Sequence, residues 1–254
     1  IYTAHGFHFF KGSSLVSWLA YYPVEWVLAH DTDVLLTMNR EDYALAQRKM
    51  HAKRVEYVPG VGIDTHRFSE NRKDAGEKRR ELGFRQEDFL ILTVAEMTKN
   101  KNHSTVLKAL ALLKDEPEFA RMHYLICGMG AQKESLRREA ADLQIASHVH
   151  FLGYRKDVPQ IYGCSDLFVF MSYREGLPVA LMEAMSSAMP IVCTRIRGNT
   201  DLIEDGVSGL FCENNPEALS LALLRLYAEP EYRKRLGKAA QARAELFDEE
   251  TVHN

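Results

Sequence analysis

The chain has 254 residues, of which 46% are hydrophobic and 26% are charged, a balance that excludes a disordered or fibrous protein. Its formal net charge of −3 excludes a global basic field, so the sequence does not favour nucleic acid as a partner. The chain begins at Ile1 without a methionine, and we expect a piece of a longer protein that has lost part of its N-terminal domain.

The first long element, residues 6–30, is the most aromatic stretch and contains both tryptophans. Lys11, Pro23 and Glu25 interrupt it, so it lacks the continuous apolar run of a membrane-spanning helix. A Trp- and Tyr-rich helix packed in its own core is the ordinary interpretation. A surface for a lipid-linked or apolar acceptor is the alternative.

The next elements resemble the closing part of an α/β sheet. They are a strand in DVLLTMN, a helix in EDYALAQRKMH and a strand in VEYVP. The glycine-rich PGVGIDTHRF follows and is typical of a hinge, because glycine permits the backbone turns of a crossover. We therefore predict a partial N-terminal Rossmann-like domain with its hinge at residues 1–62, and a second domain at residues 63–254.

From Phe89 onward, short apolar runs alternate with amphipathic stretches. The predicted strands are FLILTVA, HYLICG, HVHFLG, DLFVFMS, PIVCT and GLFC, and the predicted helices are HSTVLKALALLK, QKESLRREAADL, DVPQIYGC, PVALMEAMSSA, NTDLIEDG and PEALSLALLRLYAE. Continuous apolar strands are typical of burial on both faces, which predicts a doubly wound parallel sheet. Ligands of such sheets bind at the carboxyl ends of the strands. The last segment, EYRKRLGKAAQARAELF, predicts a charged amphipathic helix.

The cysteines of the chain are far apart and stand mostly in apolar runs. They are Cys127, Cys164, Cys193 and Cys212. This spacing does not match a zinc site or a redox motif, so we expect buried, reduced thiols in a cytoplasmic protein.

The stretch SYREGLPVALMEAM, residues 172–185, carries the strongest chemical signal. Gly176 permits close approach of a backbone, and Pro178 suits the first position of a helix whose free N–H groups hold a phosphate. Glu183 then lies inside that helix among apolar residues. A buried carboxylate needs hydrogen-bond donors, which a ribose diol supplies. In isolation such a glutamate is more commonly satisfied by its neighbours.

Several motifs together resemble the retaining glycosyltransferases of family 4, which have the GT-B fold. The chain carries the E-x7-E spacing of EGLPVALME, with FLGYRKDV, CGMG and GNTDLIEDGVSGLF in the matching order. TAHGF and GVGIDTHRF also resemble segments of that family. The resemblance implies two Rossmann-like domains, with the donor nucleotide bound by the C-terminal one.

The resemblance also assigns roles to individual residues. It implies that Glu183 holds the donor ribose, and that Glu175 and His5 face the donor sugar as catalytic residues. It implies that Lys101 is the third catalytic residue and meets the leaving diphosphate, which agrees with the chemistry of an ammonium at a strand end. The further donor-binding residues that it implies are Gly176, Leu177, Pro178, Gly128, Tyr154 and Arg155. His8 is a weaker candidate than His5.

One position departs from the family pattern. The family has an arginine five residues before the lysine, whereas this chain has Glu96 there. A carboxylate cannot bind phosphate as a guanidinium does. Either Glu96 points away from the site, or Lys99 or Arg155 supplies the missing charge.

Other motifs do not fit their usual functions. Lys133 stands where the last glycine of a dinucleotide-binding fingerprint would follow Gly128 and Gly130. Asp31 and Asp33 have a D-x-D spacing that holds metal in a different glycosyltransferase fold, but they precede an apolar strand and are typical of a turn. We therefore expect neither a bound metal nor a cofactor, with the nucleotide sugar as a substrate.

The sequence thus predicts a metal-independent hexosyltransferase that moves a sugar from a nucleoside diphosphate to a glycan or lipid-linked acceptor with retention. Polysaccharide biosynthesis is its expected setting, and peripheral contact with the inner face of the membrane is a further option. We expect this piece alone to be inactive. A nucleotide-sugar epimerase of the same scaffold and a non-catalytic nucleotide-binding module are the alternatives.

Overall fold

The computed structural model describes residues 1–69 and 74–253, and it contains two separate parallel sheets. The first sheet has the order β1-β2-β3, with β1 Tyr2–Ala4, β2 Val34–Thr37 and β3 Arg54–Tyr57. Helices α1 Leu15–His30 and α2 Arg40–Lys49 form the crossovers between these strands. We call residues 1–62 the three-stranded unit and residues 63–253 the six-stranded unit. The predicted domain boundary stays a prediction, and the two sheets lie on either side of it.

The second sheet has the strand order β6-β5-β4-β7-β8-β9, and all its neighbouring strands are parallel. The strands are β4 Phe89–Val94, β5 Met122–Cys127, β6 Val149–Gly153, β7 Leu167–Phe170, β8 Ile191–Thr194 and β9 Leu210–Cys212. The chain builds outward from β4 to β6, and then returns to place β7 on the other side of β4. This reversal leaves a crevice at the carboxyl ends of β4 and β7, where doubly wound sheets bind their ligands.

Helices cover both faces of the second sheet. They are α3 Thr65–Ser69, α4 Ala75–Glu81, α5 His103–Leu112, α6 Lys133–Asp142, α7 Val158–Cys164, α8 Val179–Ser186, α9 Asn199–Leu202, α10 Pro216–Ala228, α11 Pro230–Ala244 and α12 Glu249–His253, with short 3-10 helices at Pro117–Arg121, Ala146–His148 and Glu245–Phe247. The predicted alternation is confirmed. The stretch NTDLIEDG has only the single turn α9, because Ile203 takes an extended conformation (φ −107°, ψ 137°) and enters the core.

The core of the six-stranded unit lies on both faces of its sheet. Leu90 and Leu92 of β4 belong to one buried cluster, Ile91 belongs to the other, and all three side chains are 0% exposed. The prediction of strands buried on both faces is therefore confirmed. The four cysteines are buried and free, as expected.

Helix α1 packs on one side only. Trp18 and Tyr22 contact the ring of Phe9, each with ring centroids 5.3 Å apart. Leu15 and Leu19, by contrast, are 80% and 77% exposed. The interpretation of a helix packed in its own core is thus correct for one face and wrong for the other, because a three-stranded sheet offers α1 little apolar surface.

The C-terminal segment returns to the predicted hinge. The backbone N–H of Ile63 donates to Phe247 O at 3.0 Å, and that of Glu249 donates to Ile63 O at 3.0 Å. Gly62 has φ +76°, and a Cβ there would lie 2.7 Å from the Cα of Glu249. A glycine is needed at this crossing because of both its φ and the close approach of a second backbone.

Candidate active site

Two loops at the switch point are bonded to each other. One follows β4 and the other follows β7. The amide Nδ2 of Asn100 donates to Arg174 O at 2.9 Å, and the backbone N–H of Tyr173 donates to Asn100 O at 2.9 Å. The residues predicted on these two loops therefore lie at one edge of the sheet.

Lys101 and Glu175 form an ion pair across these loops. Lys101 Nζ donates to Glu175 Oε1 at 2.6 Å, and their side chains are 23% and 10% exposed. The ammonium also lies 4.9 Å from the centroid of the Phe170 ring. An incoming anion would meet a cation that a carboxylate and a ring already hold in place.

The loop before α8 presents free backbone donors. In the described part of the chain, the N–H groups of Gly176 and Leu177 have no hydrogen-bond acceptor. The first N–H groups of α8 also lack intrahelical partners, as in any helix, and the dipole favours an anion there. Pro178 is the N-cap of α8, with φ −78°, and not its first residue as predicted. The helix begins one residue later because Pro178 has the extended ψ of 115°.

Glu183 lies beside a cavity of about 470 Å³. The cavity is lined by Arg67, Phe68, Val94, Tyr154, Arg155, Lys156, Val158, Pro159 and Glu183. Tyr162 OH lies 3.2 Å from Glu183 Oε2 and 2.9 Å from Ala180 O. Burial raises the pKa of the Glu183 carboxyl, and the hydroxyl of Tyr162 opposes this rise. Oε1 has no donor among the residues described here, so the carboxylate can still accept a hydrogen bond from a ligand.

Two further predicted donor residues line this cavity from the loop after β6. The side chain of Tyr154 is 74% exposed. Arg155 donates to Asp157 with Nε at 2.8 Å and Nη2 at 2.6 Å. Arg155 is therefore engaged by a carboxylate and is not free to replace the family arginine in this arrangement.

The three-stranded unit contacts the same loop through its backbone. His5 directly follows β1, and a Cβ on Gly176 would lie 2.0 Å from His5 O. The side chain of His5 is exposed, while the ring of His8 stacks on Tyr21 with centroids 4.6 Å apart. The structure thus brings His5 to the wall of the crevice and directs His8 onto α1.

Gly128 lies beside the loop after β4. It has φ +148°, and a Cβ there would lie 2.0 Å from Ala95 O. Its N–H donates to Gly153 O at 2.9 Å. Packing alone therefore requires glycine at this position, and its contact with a donor stays a prediction.

Glu96 is exposed, and its carboxylate makes no ion pair in the described residues. Its carbonyl oxygen lies 3.1 Å from Nε2 of the buried His103. Lys99, the other proposed replacement, lines a separate cavity of about 350 Å³ with Thr98 and Tyr173. The structure thus leaves the missing guanidinium without an evident substitute at this position.

Arg197 and Asp42 form a buried ion pair that was not predicted from the sequence. Their side chains are 5% and 0% exposed, and Arg197 Nη1 lies 2.5 Å from Asp42 Oδ1. Arg197 also donates to Phe7 O at 2.6 Å and to Glu175 O at 3.2 Å. The two residues are 155 positions apart, so no local motif could reveal the pair.

The alternative D-x-D motif lies away from this site. Asp33 immediately precedes β2 and pairs with Lys53 at 2.7 Å, with both side chains largely exposed. Within residues 1–69 and 74–253, no cluster of three or more His, Cys, Asp or Glu side chains has a geometry that could hold a metal.

In the described ranges, no helix is both long enough and apolar enough to cross a bilayer. Helix α1, the most apolar candidate, has 16 residues.

Comparisons with known proteins match this architecture. The family described as "Glycosyl transferases group 1" matches residues 74–243. EpsD of Bacillus subtilis (strain 168), which carries the name of a glycosyltransferase, is 35% identical over 252 residues, covering 98% of this chain and 66% of EpsD. The Escherichia coli protein named UDP-Gal:alpha-D-GlcNAc-diphosphoundecaprenol alpha-1,3-galactosyltransferase is 26% identical over 230 residues, covering 89% and 59%. This chain thus spans at most about two thirds of these two relatives.

A solved structure has the same fold. The crystal structure of Anabaena Alr3699/HepE in complex with UDP and glucose matches with a TM-score of 0.86 and 21% identity, covering 99% of this chain and 68% of that one. This likeness concerns the fold alone. The predicted parallel α/β fold of GT-B type is confirmed.

Proposed function

This chain belongs to the glycosyl transferases of group 1, and on that premise we propose that it moves a sugar from a nucleoside diphosphate to an acceptor. The donor half of the reaction is assigned to the six-stranded unit. The acceptor is a glycan or a lipid-linked glycan precursor in polysaccharide biosynthesis. The E. coli relative named for a diphosphoundecaprenol substrate supports the lipid-linked form.

One observation carries the proposal. One edge of the sheet carries groups that can hold an anion: the free N–H groups of Gly176 and Leu177, the N-terminus of α8 and the Lys101 ammonium. Further along α8, Glu183 lies beside the cavity of about 470 Å³. The first set suits a diphosphate and the second suits the nucleoside attached to it. HepE, whose structure contains UDP and glucose, has the same fold and supports a nucleotide-sugar donor.

The proposed chemistry is departure of the nucleoside diphosphate from the sugar carbon. Negative charge develops on the leaving oxygen, and Lys101 with the helix end stabilises it. Glu175 holds Lys101 before the donor arrives and then faces the sugar, with His5 on the opposite wall. The acceptor hydroxyl attacks from the face that the diphosphate leaves, its proton passes to the leaving diphosphate oxygen, and the configuration is retained.

We assign the acceptor side to the three-stranded unit. The exposed apolar face of α1, with Leu15 and Leu19, supports an acceptor with a lipid part and a peripheral contact with the membrane. A cytoplasmic enzyme working at the inner face would fit this arrangement. Because the chain spans only part of its relatives, we propose that it binds nucleotide but transfers no sugar by itself.

Calorimetry with UDP, GDP and ADP tests the donor site directly. We expect one nucleotide per chain, and a much weaker signal from inorganic diphosphate, which lacks the ribose that Glu183 would bind. Binding of none of the three nucleotides would refute the proposal.

Turnover is then compared between this chain and an N-terminally extended form, with and without excess chelator. We expect turnover only in the extended form and no effect of the chelator. Equal turnover by the two forms would contradict the inactivity of this chain alone, and inhibition by the chelator would contradict metal independence.

One observation supports a second candidate, a nucleotide-binding module without catalysis. Glu96 places a carboxylate where the family has a phosphate-binding arginine. Nucleotide binding without transfer by the extended form would favour this module. The comparisons do not favour the epimerase alternative.

A further inference from the structure

Arg197 lies between the two units and contacts both. Toward the three-stranded unit it bonds to Asp42 on α2 at 2.5 Å and to Phe7 O at 2.6 Å. Toward the six-stranded unit its Nε donates to Glu175 O at 3.2 Å. A single planar guanidinium thus bridges the loop after β1 and the loop after β7, which are in direct contact.

The pair is costly to bury and is fully engaged. Burial lowers the pKa of Arg197 and raises the pKa of Asp42, and in each case the opposite charge of the partner opposes the change. Asp42 Oδ2 also accepts from the N–H of Phe7 at 3.0 Å and from Asn39 Nδ2 at 2.8 Å. Buried ion pairs add little net stability compared with apolar packing, but their directional bonds fix relative positions.

The two loops that Arg197 bridges also touch each other at glycines. A Cβ on Gly176 would lie 2.0 Å from His5 O, and one on Gly198 would lie 2.2 Å from Gly176 O. Arg197 immediately precedes Gly198, so its contacts are made at the point where the three backbones meet. Movement of the Glu175 loop therefore cannot occur without movement of Arg197 or loss of its bonds.

We propose that Arg197, held by Asp42, is a positioning residue that transmits occupation of the nucleotide site to the three-stranded unit. The inference rests on the proposed function, since the occupant is the nucleoside diphosphate. Arg197 is not assigned a contact with the donor. It acts through the backbone of Glu175 on one side and of Phe7 on the other.

The chain contains a built-in reporter for this coupling. Its two tryptophans, Trp18 and Trp26, both lie on α1 of the three-stranded unit. Trp18 Nε1 donates to Phe10 O at 3.3 Å, and the Arg197 guanidinium lies 4.4 Å from the centroid of the Phe10 ring. A shift of Arg197 would therefore change the surroundings of Trp18, although nucleotide binds to the other unit.

The test measures UDP affinity by calorimetry and tryptophan emission at saturating UDP on the same samples. The main variant is Arg197→Met with Asp42→Leu, which removes both buried charges and leaves neither unpaired. Arg233→Gln is the matched control. Arg233 is half-buried and, like Arg197, bonds to backbone carbonyls, those of Leu226 and Tyr227, but inside the six-stranded unit. Circular dichroism verifies that all variants are folded.

We expect UDP to change tryptophan emission in the wild-type chain and in Arg233→Gln. The double variant should bind UDP within about threefold of wild type and lose most of the emission change. A full emission change in the folded double variant would overturn the inference, as would UDP binding to wild type without any emission change. A tenfold loss of UDP affinity would place Arg197 in the donor site instead. Absence of nucleotide binding to wild type refutes the proposed function itself, which distinguishes the two failures.

Discussion

The two units of this chain differ in how completely their own residues bury them. In the six-stranded unit, Leu90 and Leu92 of the central strand are 0% exposed and helices cover both faces of the sheet. In the three-stranded unit, by contrast, Leu15 and Leu19 of α1 are 80% and 77% exposed. The predicted donor-binding residues lie in the six-stranded unit, and His5 lies in the three-stranded unit. A self-sufficient core thus accompanies the proposed nucleotide site, while the smaller unit contacts the loop after β7 through its backbone at His5.

Leu92→Ala should have the largest effect on this contrast. We expect the free energy of unfolding to fall by about 2–5 kcal/mol, because the cavity forms in a fully packed cluster. Urea unfolding followed by circular dichroism measures the change, and tryptophan emission reports separately on the three-stranded unit. A loss below about 1 kcal/mol would show that this core can collapse around a cavity and is less rigid than its burial indicates.

Glu183→Ala should remove nucleotide binding while the fold survives. A hydrogen bond to a charged group contributes about 1.5–3 kcal/mol, so UDP affinity should fall about tenfold or more in calorimetry. Glu134→Ala is the control, because its side chain is 73% exposed on α6. Unchanged affinity in a folded Glu183→Ala variant would move the nucleoside site out of this cavity.

Gly176→Ala sharpens the comparison at the contact between the units. A methyl group there would lie 2.0 Å from His5 O, so we expect a loss of about 1–3 kcal/mol in the free energy of unfolding. Gly76→Ala is the matched control, since its nearest neighbour would be Gln86 Oε1 at 3.6 Å. Equal stability of the two variants would mean that the units separate without cost.

Acid should weaken the six-stranded unit through the half-buried His150. Burial, and then the charges of His123 and His148, lower the pKa of His150 from 6.5 to about 4. Between these values the unfolded chain binds more protons than the folded one, so the stability from His150 is complete above pH 6.5 and lost as the pH falls toward 4. Unfolding free energies measured from pH 7 to pH 4 should fall less steeply in His150→Gln. Parallel profiles would contradict this assignment.

The smallest effect is expected on the exposed face of α1. Leu19→Ala should change the free energy of unfolding by no more than about 0.5 kcal/mol, because the side chain is 77% exposed. Tryptophan emission during urea unfolding follows this unit directly. A loss as large as that of Leu92→Ala would show that α1 is covered in solution, and the difference between the two units would then disappear.

The sequence predicted the features that depend on neighbouring residues. The apolar runs predicted the strands of the larger sheet, and the positions of Gly176 and Glu183 predicted a loop and helix at a strand end. The strand order follows from the doubly wound pattern only in outline. The predicted start of α8 at Pro178 is wrong by one residue, because the ψ angle of Pro178 alone decides where the helix begins.

Features formed between distant residues could not be predicted in the same way. Tyr162 reaches Glu183 from another helix, and Arg197 reaches Asp42 across 155 residues. A hydrophobic pattern does not encode such pairs, since a buried tyrosine or arginine can bond to many partners. The exposure of α1 was only the alternative interpretation of its sequence, and could not be decided from it for a related reason. Composition gives the apolar content of a helix, but not the amount of apolar surface that its neighbours provide.

The place of β4 in the sheet also governs when the site can exist during synthesis. Ile91 pairs with Leu167, which is made 76 residues later, so β4 lacks its second neighbour for that interval. At about 5–20 residues per second, the central strand of a growing chain stays unpaired on one side for roughly 4–15 s. The ribosome must also release the β7 loop before Gly176 and Lys101 can meet. A nucleotide bound at the proposed site could therefore not assist the earliest folding of this unit, and one edge of β4 stays open until β7 is made.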